Sequence, residues 1–436
     1  MRMTTFFNSA WSGLGRSLRD AVIYIFHNNQ KAFHKLLQFY ERIDDALHGE
    51  KAAEKAPSTL PQSPDAGINI HGFLSGEFGL GALALYNLEA IKAGGIPFTI
   101  NNIKKRTGGQ DGRPAGRRML SVSYGVNLIC VNADGLRYFM RTKLADSTRG
   151  RYNIASIVWE LSRFPAQWHK SLQLCDEIWV PSSFCREALA AVTTQPVFKT
   201  FSLQIDMEGV RADRKKFGLN EDTYAFLFVF DFHSYFKRKN PLGLIEAFKR
   251  AFGPRDRATL ILKYMNPAGY HYHVKEMRKA IDGYGNIRII DERLTKSGLY
   301  SLMAGCDCYA SLHRSEGLGL TIAEMMYLDK PVIATGYSGN MDFTTAQNSY
   351  LVDYKMVDVP PNDYPPFDKG YAWAEPDVGQ AAELMRYVYG HREQAGEKGL
   401  QAGRGIRSLL DVRSGGQRIR QHLDDIYARL GSGGSL

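Results

Sequence analysis

Hydrophobic positions along the chain fall into two successive series in which short apolar runs alternate with helical periods. The first series begins at Ile68. Residues 68–73 predict a strand, 76–81 a glycine-rich loop and 82–93 a helix, and 128–132, 154–159 and 177–180 continue as strands. Residues 195–207 show no helical period and are the expected connection between the two series. The second series opens with a strand of aromatic and branched residues at 224–230, followed by a helix at 242–252. Strands at 260–263, 287–290, 308–312 and 331–334 follow, and helices at 381–389 and 417–430 close the chain. Strands alternating with helices are the pattern of a parallel sheet with crossover helices. The fold class expected is therefore α/β, in two successive halves, and two lobes imply a cleft.

Ahead of these series, Trp11, Leu14, Leu18, Val22 and Ile25 recur at helical spacing, accompanied by Arg16, Arg19, Lys31 and Lys35. Such a basic amphipathic helix suits an anionic membrane surface, and the same stripe would equally pack on the domain behind it. Residues 51–64, rich in Ala, Lys, Glu, Pro and Ser, read as a flexible linker, and the Gly/Ser tail from Gly431 as disordered. The expected division is a helical extension and linker at 1–64, a first domain at 65–205, a second at 206–405, and a terminal helix and tail at 406–436.

The 436 residues suffice for two cores plus an appendage, and the balance of 44% hydrophobic to 23% charged residues is that of a globular protein. A net charge of +10 favours anionic partners: nucleotide phosphates, acidic lipid headgroups or nucleic acid. No nucleic-acid motif supports the last of these. The five cysteines sit in apolar runs and read as buried thiols of a reducing compartment. Neither a long apolar run nor a secretory signal pattern is present, so a cytoplasmic location is expected, with contact at the inner face of the membrane through basic segments.

Candidate chemistry concentrates in Ser315-Glu316-Gly317-Leu318-Gly319-Leu320-Thr321-Ile322-Ala323-Glu324, directly after a predicted strand. Glycines let backbone N–H groups approach a ligand, and a helix N-terminus favours an anion such as a diphosphate. Glu316 and Glu324 would face different parts of one elongated ligand, each carboxylate suited to vicinal hydroxyls. The alternative is that both glutamates only stabilise the helix start. Upstream, Phe230-Asp231-Phe232-His233-Ser234-Tyr235-Phe236-Lys237-Arg238-Lys239-Asn240-Pro241 places a cationic run between a strand and a helix. In the first half, Gly72 to Gly81 forms a strand-to-helix glycine loop without the Gly-x-Gly-x-x-Gly order of a dinucleotide fold. Glu160 follows a strand at the carboxyl edge of the first sheet, within Trp159-Glu160-Leu161, Phe164-Pro165 and Trp168. It reads either as an acceptor-directed carboxylate or as part of a structural turn. Lys104, Lys105, Arg106, Arg113, Arg117 and Arg118 crowd a loop that could meet a pyrophosphate-linked lipid, or a membrane, or only solvent.

Glu316, seven residues, Glu324, then Lys330-Pro331-Val332-Ile333-Ala334 and Ser338-Gly339-Asn340, resembles the donor site of retaining glycosyltransferases of family four. The segment from Trp159 through Asp176-Glu177-Ile178-Trp179-Val180-Pro181-Ser182-Ser183-Phe184 resembles a subgroup active in surface polysaccharide and lipopolysaccharide assembly. The resemblance spans residues 68–420 and implies the GT-B architecture, with an acceptor-side first domain, a donor-side second domain and a terminal helix crossing back.

It further implies that Glu316 contacts the transferred sugar, Glu324 the ribose, and the amides of Gly317, Leu318, Gly319 and Leu320 the sugar and diphosphate. Lys239 matches the family's diphosphate lysine. The expected arginine is replaced by His233, so His233 or Arg238 must supply the second contact. Gly79 and Gly81 would touch the donor phosphate or the acceptor from the opposite wall, and Glu160 would orient or deprotonate the acceptor hydroxyl. The co-substrate implied is a nucleotide-diphosphate sugar, with mannose the sugar expected from the resemblance, and the acceptor a glycan or lipid-linked oligosaccharide. No cofactor is implied. No Asp-x-Asp pair occurs, and Cys306-Asp-Cys308 lacks a second ligand pair, so no metal is expected. The rivals are a GT-B nucleotide-binding interaction protein without turnover and a dinucleotide oxidoreductase.

Overall fold

The structure, a computed structural model, describes residues 66–431 apart from 73, 75–78, 104–123, 201–204, 206, 208 and 411. The N-terminal amphipathic stripe, the linker, half of the first glycine loop, the basic loop around Lys104–Arg118 and the C-terminal tail beyond Gly431 lie outside the described residues.

Two six-stranded sheets organise the chain. The first contains β1 (Ile68–Gly72), β2 (Phe98–Asn102), β3 (Val126–Cys130), β4 (Tyr152–Ser156), β5 (Glu177–Val180) and β6 (Val197–Lys199), in the order β2-β1-β3-β4-β5-β6, all parallel. The second contains β7 (Tyr224–Asp231), β8 (Ala258–Met265), β9 (Ile287–Ile290), β10 (Cys308–Ser311), β11 (Val332–Thr335) and β12 (Tyr350–Val352), in the order β12-β11-β10-β7-β8-β9, also parallel. Parallel sheets are covered on both faces, which is why β7 reads as an unbroken aromatic and branched run and is buried along its whole length.

In each sheet the strand order reverses once, between β1 and β3 in the first and between β7 and β10 in the second. Ligands of such sheets bind beyond the carboxyl ends of the strands at these points. The segments leaving β7 and β10 are the cationic run and the Glu316 loop.

The helices that matter below are α1 (Gly79–Ala93), α2 (Ala133–Thr142), α3 (Ser183–Ala190), α4 (Pro241–Ala251), α5 (His271–Ala280), α6 (Lys296–Gly305), α7 (Leu320–Tyr327), α8 (Val378–Gly390), α9 (Arg392–Leu409) and α10 (Val412–Gly431). The last of these joins the core of the first sheet through Ile419, Leu423 and Ile426. Its approach to α1 is backbone on backbone, since a Cβ on Gly416 would lie 2.4 Å from the amide nitrogen of Gly94. Arg420 Nε donates to the Gly94 carbonyl at 2.6 Å, Tyr427 Oη to the Gly67 carbonyl at 2.7 Å, and His422 Nε2 lies 2.5 Å from the buried Glu177 carboxylate.

Several elements differ from expectation. The segment expected as the interdomain connection begins with edge strand β6, so the connection starts after Lys199. The expected boundary at 405–406 falls within α9, which runs unbroken to Leu409. An antiparallel hairpin, β13 (Tyr354–Asp358) with β14 (Ala372–Pro376), stands outside both sheets and was not visible as a periodic pattern. All five cysteines are free and buried. Among the described residues, no helix is long and apolar enough to cross a membrane.

Candidate active site

Two loops of the second half interlock at the end of β10. Gly319 holds φ +89°, a left-handed conformation that suits glycine, and ends the loop where α7 begins. The Glu316 amide donates to Ser338 Oγ at 2.7 Å, and the Gly339 amide donates back to the Glu316 carbonyl at 2.9 Å. A Cβ on Gly339 would fall 2.3 Å from the Gly317 carbonyl oxygen, so this approach requires glycine. The amides of Gly317, Leu318, Gly319 and Leu320 have no hydrogen-bond acceptor among the described residues. Free amides at a helix start form a seat for an anion.

The cationic run leaves β7 through a turn at Phe232–Ser234 and a single helical turn at Phe236–Lys239. Asn240, at φ 54°, stops that turn, caps Gly243 at the start of α4 with its side-chain oxygen, and donates from Nδ2 to the Leu312 carbonyl at 2.9 Å. This double use of Asn240 ties the cations to the Glu316 loop. Lys239 Nζ donates to Glu316 Oε1 at 2.5 Å, and Arg238 Nη1 to Glu316 Oε2 at 3.1 Å. Arg238 Nη2 lies 3.5 Å from Glu160 Oε1. Four charges thus form a chain, Glu160, Arg238, Glu316 and Lys239, running from the first half into the second.

The charges perturb one another in definite directions. Burial alone would push the Glu316 carboxyl up, but Lys239 and Arg238 hold it down at about 2. Burial lowers Lys239, opposed by Glu316. Arg238 is 2% exposed, and burial would lower it, but Glu160 and Glu316 raise it. Glu324, on α7, is different: burial pushes it up to about 7, and Lys296 and Tyr300 on α6 only partly counter this.

The sequence candidates are placed as follows. Glu316, Lys239, Arg238 and Glu160 come together. Arg238, one of two candidates for the second diphosphate contact, is occupied instead by protein acceptors: the carbonyls of Ser234 and Ser315 and the two glutamates. His233 is half-buried beside Asp231, whose Oδ1 lies 3.8 Å from its Nδ1. Gly79 and Gly81 fall in the first turn of α1. That helix faces the second half, because Tyr86 packs against its core, and burial, with Glu324 after it, raises the Tyr86 phenol.

The walls touch directly. Ser182 Oγ donates to the Gly317 carbonyl at 2.6 Å, and Asp342 Oδ2 accepts from the Ser183 amide at 2.8 Å and from Lys199 at 3.3 Å. Gly317 meets the turn after β4, since a Cβ there would lie 2.3 Å from Val158 Cγ1.

Sequence reasoning missed Tyr364, whose hydroxyl donates to Glu160 Oε2, and Tyr235, whose ring lies 4.8 Å from that of Tyr364. Tyr235 sits at φ 66°, in a conformation no local pattern announces. The one available signal was the dense Tyr, Phe, Pro and Trp content of residues 359–373.

The family model described as Glycosyl transferases group 1 matches residues 210–358, the part that contains Lys239, Glu316 and Glu324. Solved structures resemble most of the chain. Anabaena Alr3699/HepE, in complex with UDP and glucose, aligns with 82% of this chain and 100% of its own at 15% identity and a TM-score of 0.59. Sucrose-phosphate synthase from Thermosynechococcus elongatus aligns with 83% of this chain and 99% of its own, at 11% identity and a TM-score of 0.62. A glycosyltransferase from Rickettsia africae ESF-5 does so over 83% and 98%, at 13% identity and a TM-score of 0.60. The fold is GT-B. Among curated proteins no match is found. In the GT-B frame, the quartet of charges and the free amides lie where the two Rossmann-like units meet, and the match to the group 1 model falls in the second unit.

Proposed function

We propose that the chain is a retaining, metal-independent glycosyltransferase that moves a hexose from a nucleoside-diphosphate donor to a glycan or lipid-linked acceptor in surface polysaccharide synthesis. The half built on β1–β6 acts on the acceptor and the half built on β7–β12 on the donor. The observation that carries this reading is one juxtaposition: Glu316, Lys239 and the free amides of Gly317–Leu320 lie together at the strand reversal of the group 1 domain, with Glu160 facing them. That Alr3699/HepE is seen with UDP and glucose supports a nucleotide sugar as the ligand class.

In this reading the diphosphate sits on the free amides, and Lys239 turns from Glu316 to a phosphate oxygen, offsetting the charge that grows as the leaving group departs. Glu316, held ionised, accepts from the sugar hydroxyls, and Glu324 accepts from the ribose. With Arg238 occupied, His233 is the candidate for the second diphosphate contact. The bond between the anomeric carbon and the diphosphate oxygen breaks while the acceptor oxygen bonds to that carbon on the same face. The departing diphosphate oxygen takes the acceptor's proton. Glu160 orients the acceptor hydroxyl. The basic segments at 11–35 and 104–118 would bring the enzyme to an anionic inner membrane face.

The test is a binding and hydrolysis panel of nucleotide sugars without divalent metal, on the wild type and on Glu324→Ala, with mannose from its guanosine diphosphate donor tried first. One donor should bind and be hydrolysed or transferred, with loss in the variant. A chain that binds donors without turning them over is an interaction protein, and one that binds none overturns the donor-site reading altogether.

A further inference from the structure

The hairpin β13–β14 belongs to the second half by sequence, yet its far end packs on the first. Its base is anchored to the donor side: Arg314, in the loop before Glu316, forms a two-point ion pair with Glu375 at 2.5 and 2.8 Å, and its carbonyl accepts from the Ala374 amide at 3.0 Å. Its distal part carries Val359, Tyr364 and Tyr371 into one apolar cluster with Trp159, Phe164 and Trp168 of the first half. The arm therefore spans the seam between the two units and ends on the turn that bears Glu160.

We propose that Tyr364 is a positioning residue that sets the Glu160 carboxylate for the acceptor; this rests on the reading of Glu160 given above. The Tyr364 side chain is 3% exposed and its hydroxyl donates to Glu160 Oε2. Its ring contacts Trp159 at 5.6 Å, Tyr235 at 4.8 Å and the Arg238 guanidinium at 5.9 Å. The ring is thus held by three neighbours and offers its hydroxyl to Glu160. The other carboxylate oxygen of Glu160 has the looser contact, 3.5 Å to Arg238. With a side chain 23% exposed, Glu160 keeps one oxygen anchored and the other available to a hydroxyl in the cleft. Ring packing alone would need only a phenylalanine, since the hydroxyl's partner among the described residues is Glu160. The acceptor wall is therefore completed by a residue from the donor half, and transfer depends on the arm as well as on the two sheets.

The experiment compares Tyr364→Phe, Glu160→Gln and the double variant in the full chain, measuring kcat, the KM for acceptor and the Kd for donor, with thermal melting as a check on folding. Tyr364→Phe should lower kcat by about tenfold, the scale of one lost hydrogen bond to a charged group, with donor Kd unchanged. It should add little further loss in the Glu160→Gln background, because the two changes act through one carboxylate. Wild-type kcat in Tyr364→Phe, or a full multiplicative loss in the double variant, overturns the positioning role while leaving Glu160 in place. Wild-type turnover in Glu160→Gln overturns the reading of Glu160 itself, and the positioning role with it. If Tyr364→Phe melts early, Tyr371→Phe serves as the control for general weakening of the arm. Equal loss of kcat in both variants would make the role structural and overturn the proposal.

Discussion

The two sides that meet at the Glu160–Arg238–Glu316 chain of charges are built in opposite ways. The side proposed for the donor is made of loops 22 to 78 residues apart in the chain, joined by bonds that each engage a backbone group, Glu316 to Ser338, Gly339 back to Glu316 and Asn240 to Leu312, and by the Arg238–Glu316 pair. The acceptor half is finished by chain from the other end of the molecule. Tyr364 reaches Glu160 from 204 residues away, and His422 reaches Glu177 from 245. A wall built from neighbouring loops can hold charges in a fixed geometry before any ligand arrives. One held by distant segments instead couples its carboxylates to how the whole chain is closed.

Changes to the donor wall should have the largest effects. Glu316→Ala removes the partner of Lys239 and, on the proposed reading, the sugar contact, so turnover should fall by about 10²–10³-fold, the scale of losing one preorganised transition-state contact. A steady-state assay with the panel's best donor reads this, and a fall of less than tenfold would move the sugar contact elsewhere. Next in size is Gly339→Ala. Its Cβ would meet the Gly317 carbonyl carbon at 2.4 Å and the Leu318 amide nitrogen at 2.7 Å, backbone that cannot yield cheaply. The loops must separate, costing about 1–3 kcal/mol in thermal unfolding and weakening donor binding as the free amides lose their arrangement. An unchanged melting temperature with unchanged donor affinity would mean the loops adapt.

Remote support of the first half should matter less to chemistry. His422→Ala leaves the fully buried Glu177 carboxylate with Trp179 Nε1 at 2.7 Å and Tyr152 Oη at 3.0 Å. Loss of one of three partners should cost about 1–3 kcal/mol of stability while donor affinity stays at the wild-type value. Denaturant unfolding and calorimetry together separate the two effects.

The smallest effect is one of pH. The Glu324 carboxyl is raised to about 7 by burial, so below that value it is protonated and, if it meets the ribose as proposed, accepts its hydroxyls poorly. Donor affinity should rise with pH by at most about tenfold per unit below 7 and level off above it. Glu324→Gln should flatten the profile, and a profile identical in the two proteins would remove Glu324 from the donor contact.

What the sequence made legible follows the same division. The buried parallel strands announce themselves as apolar runs, and β7 could be read from Tyr224 to Phe230 without any partner in view. Strand β2, Phe-Thr-Ile-Asn-Asn, could not. Its polar residues are satisfied sideways, Thr99 by Asn69, Asn101 by His71 and Asn102 by the Leu74 amide, pairings that no periodicity contains. The Glu316 to Glu324 spacing was visible because both lie on one loop and helix. Arg238 is the harder case: the resemblance offers it as a diphosphate contact, whereas the fold buries it between two glutamates. Tyr364 was out of reach because its role comes from a hairpin whose β13 strand is exposed along its length and carries no buried face to betray it.

The measurement that tests the account most directly is donor affinity, by calorimetry without metal, for Lys239→Met beside Glu160→Gln. If the walls divide the work as described, Lys239→Met loses donor binding by at least about tenfold, while Glu160→Gln binds donor like the wild type and fails only in transfer. Equal loss in both, or loss in neither, contradicts the division and the donor site drawn from it.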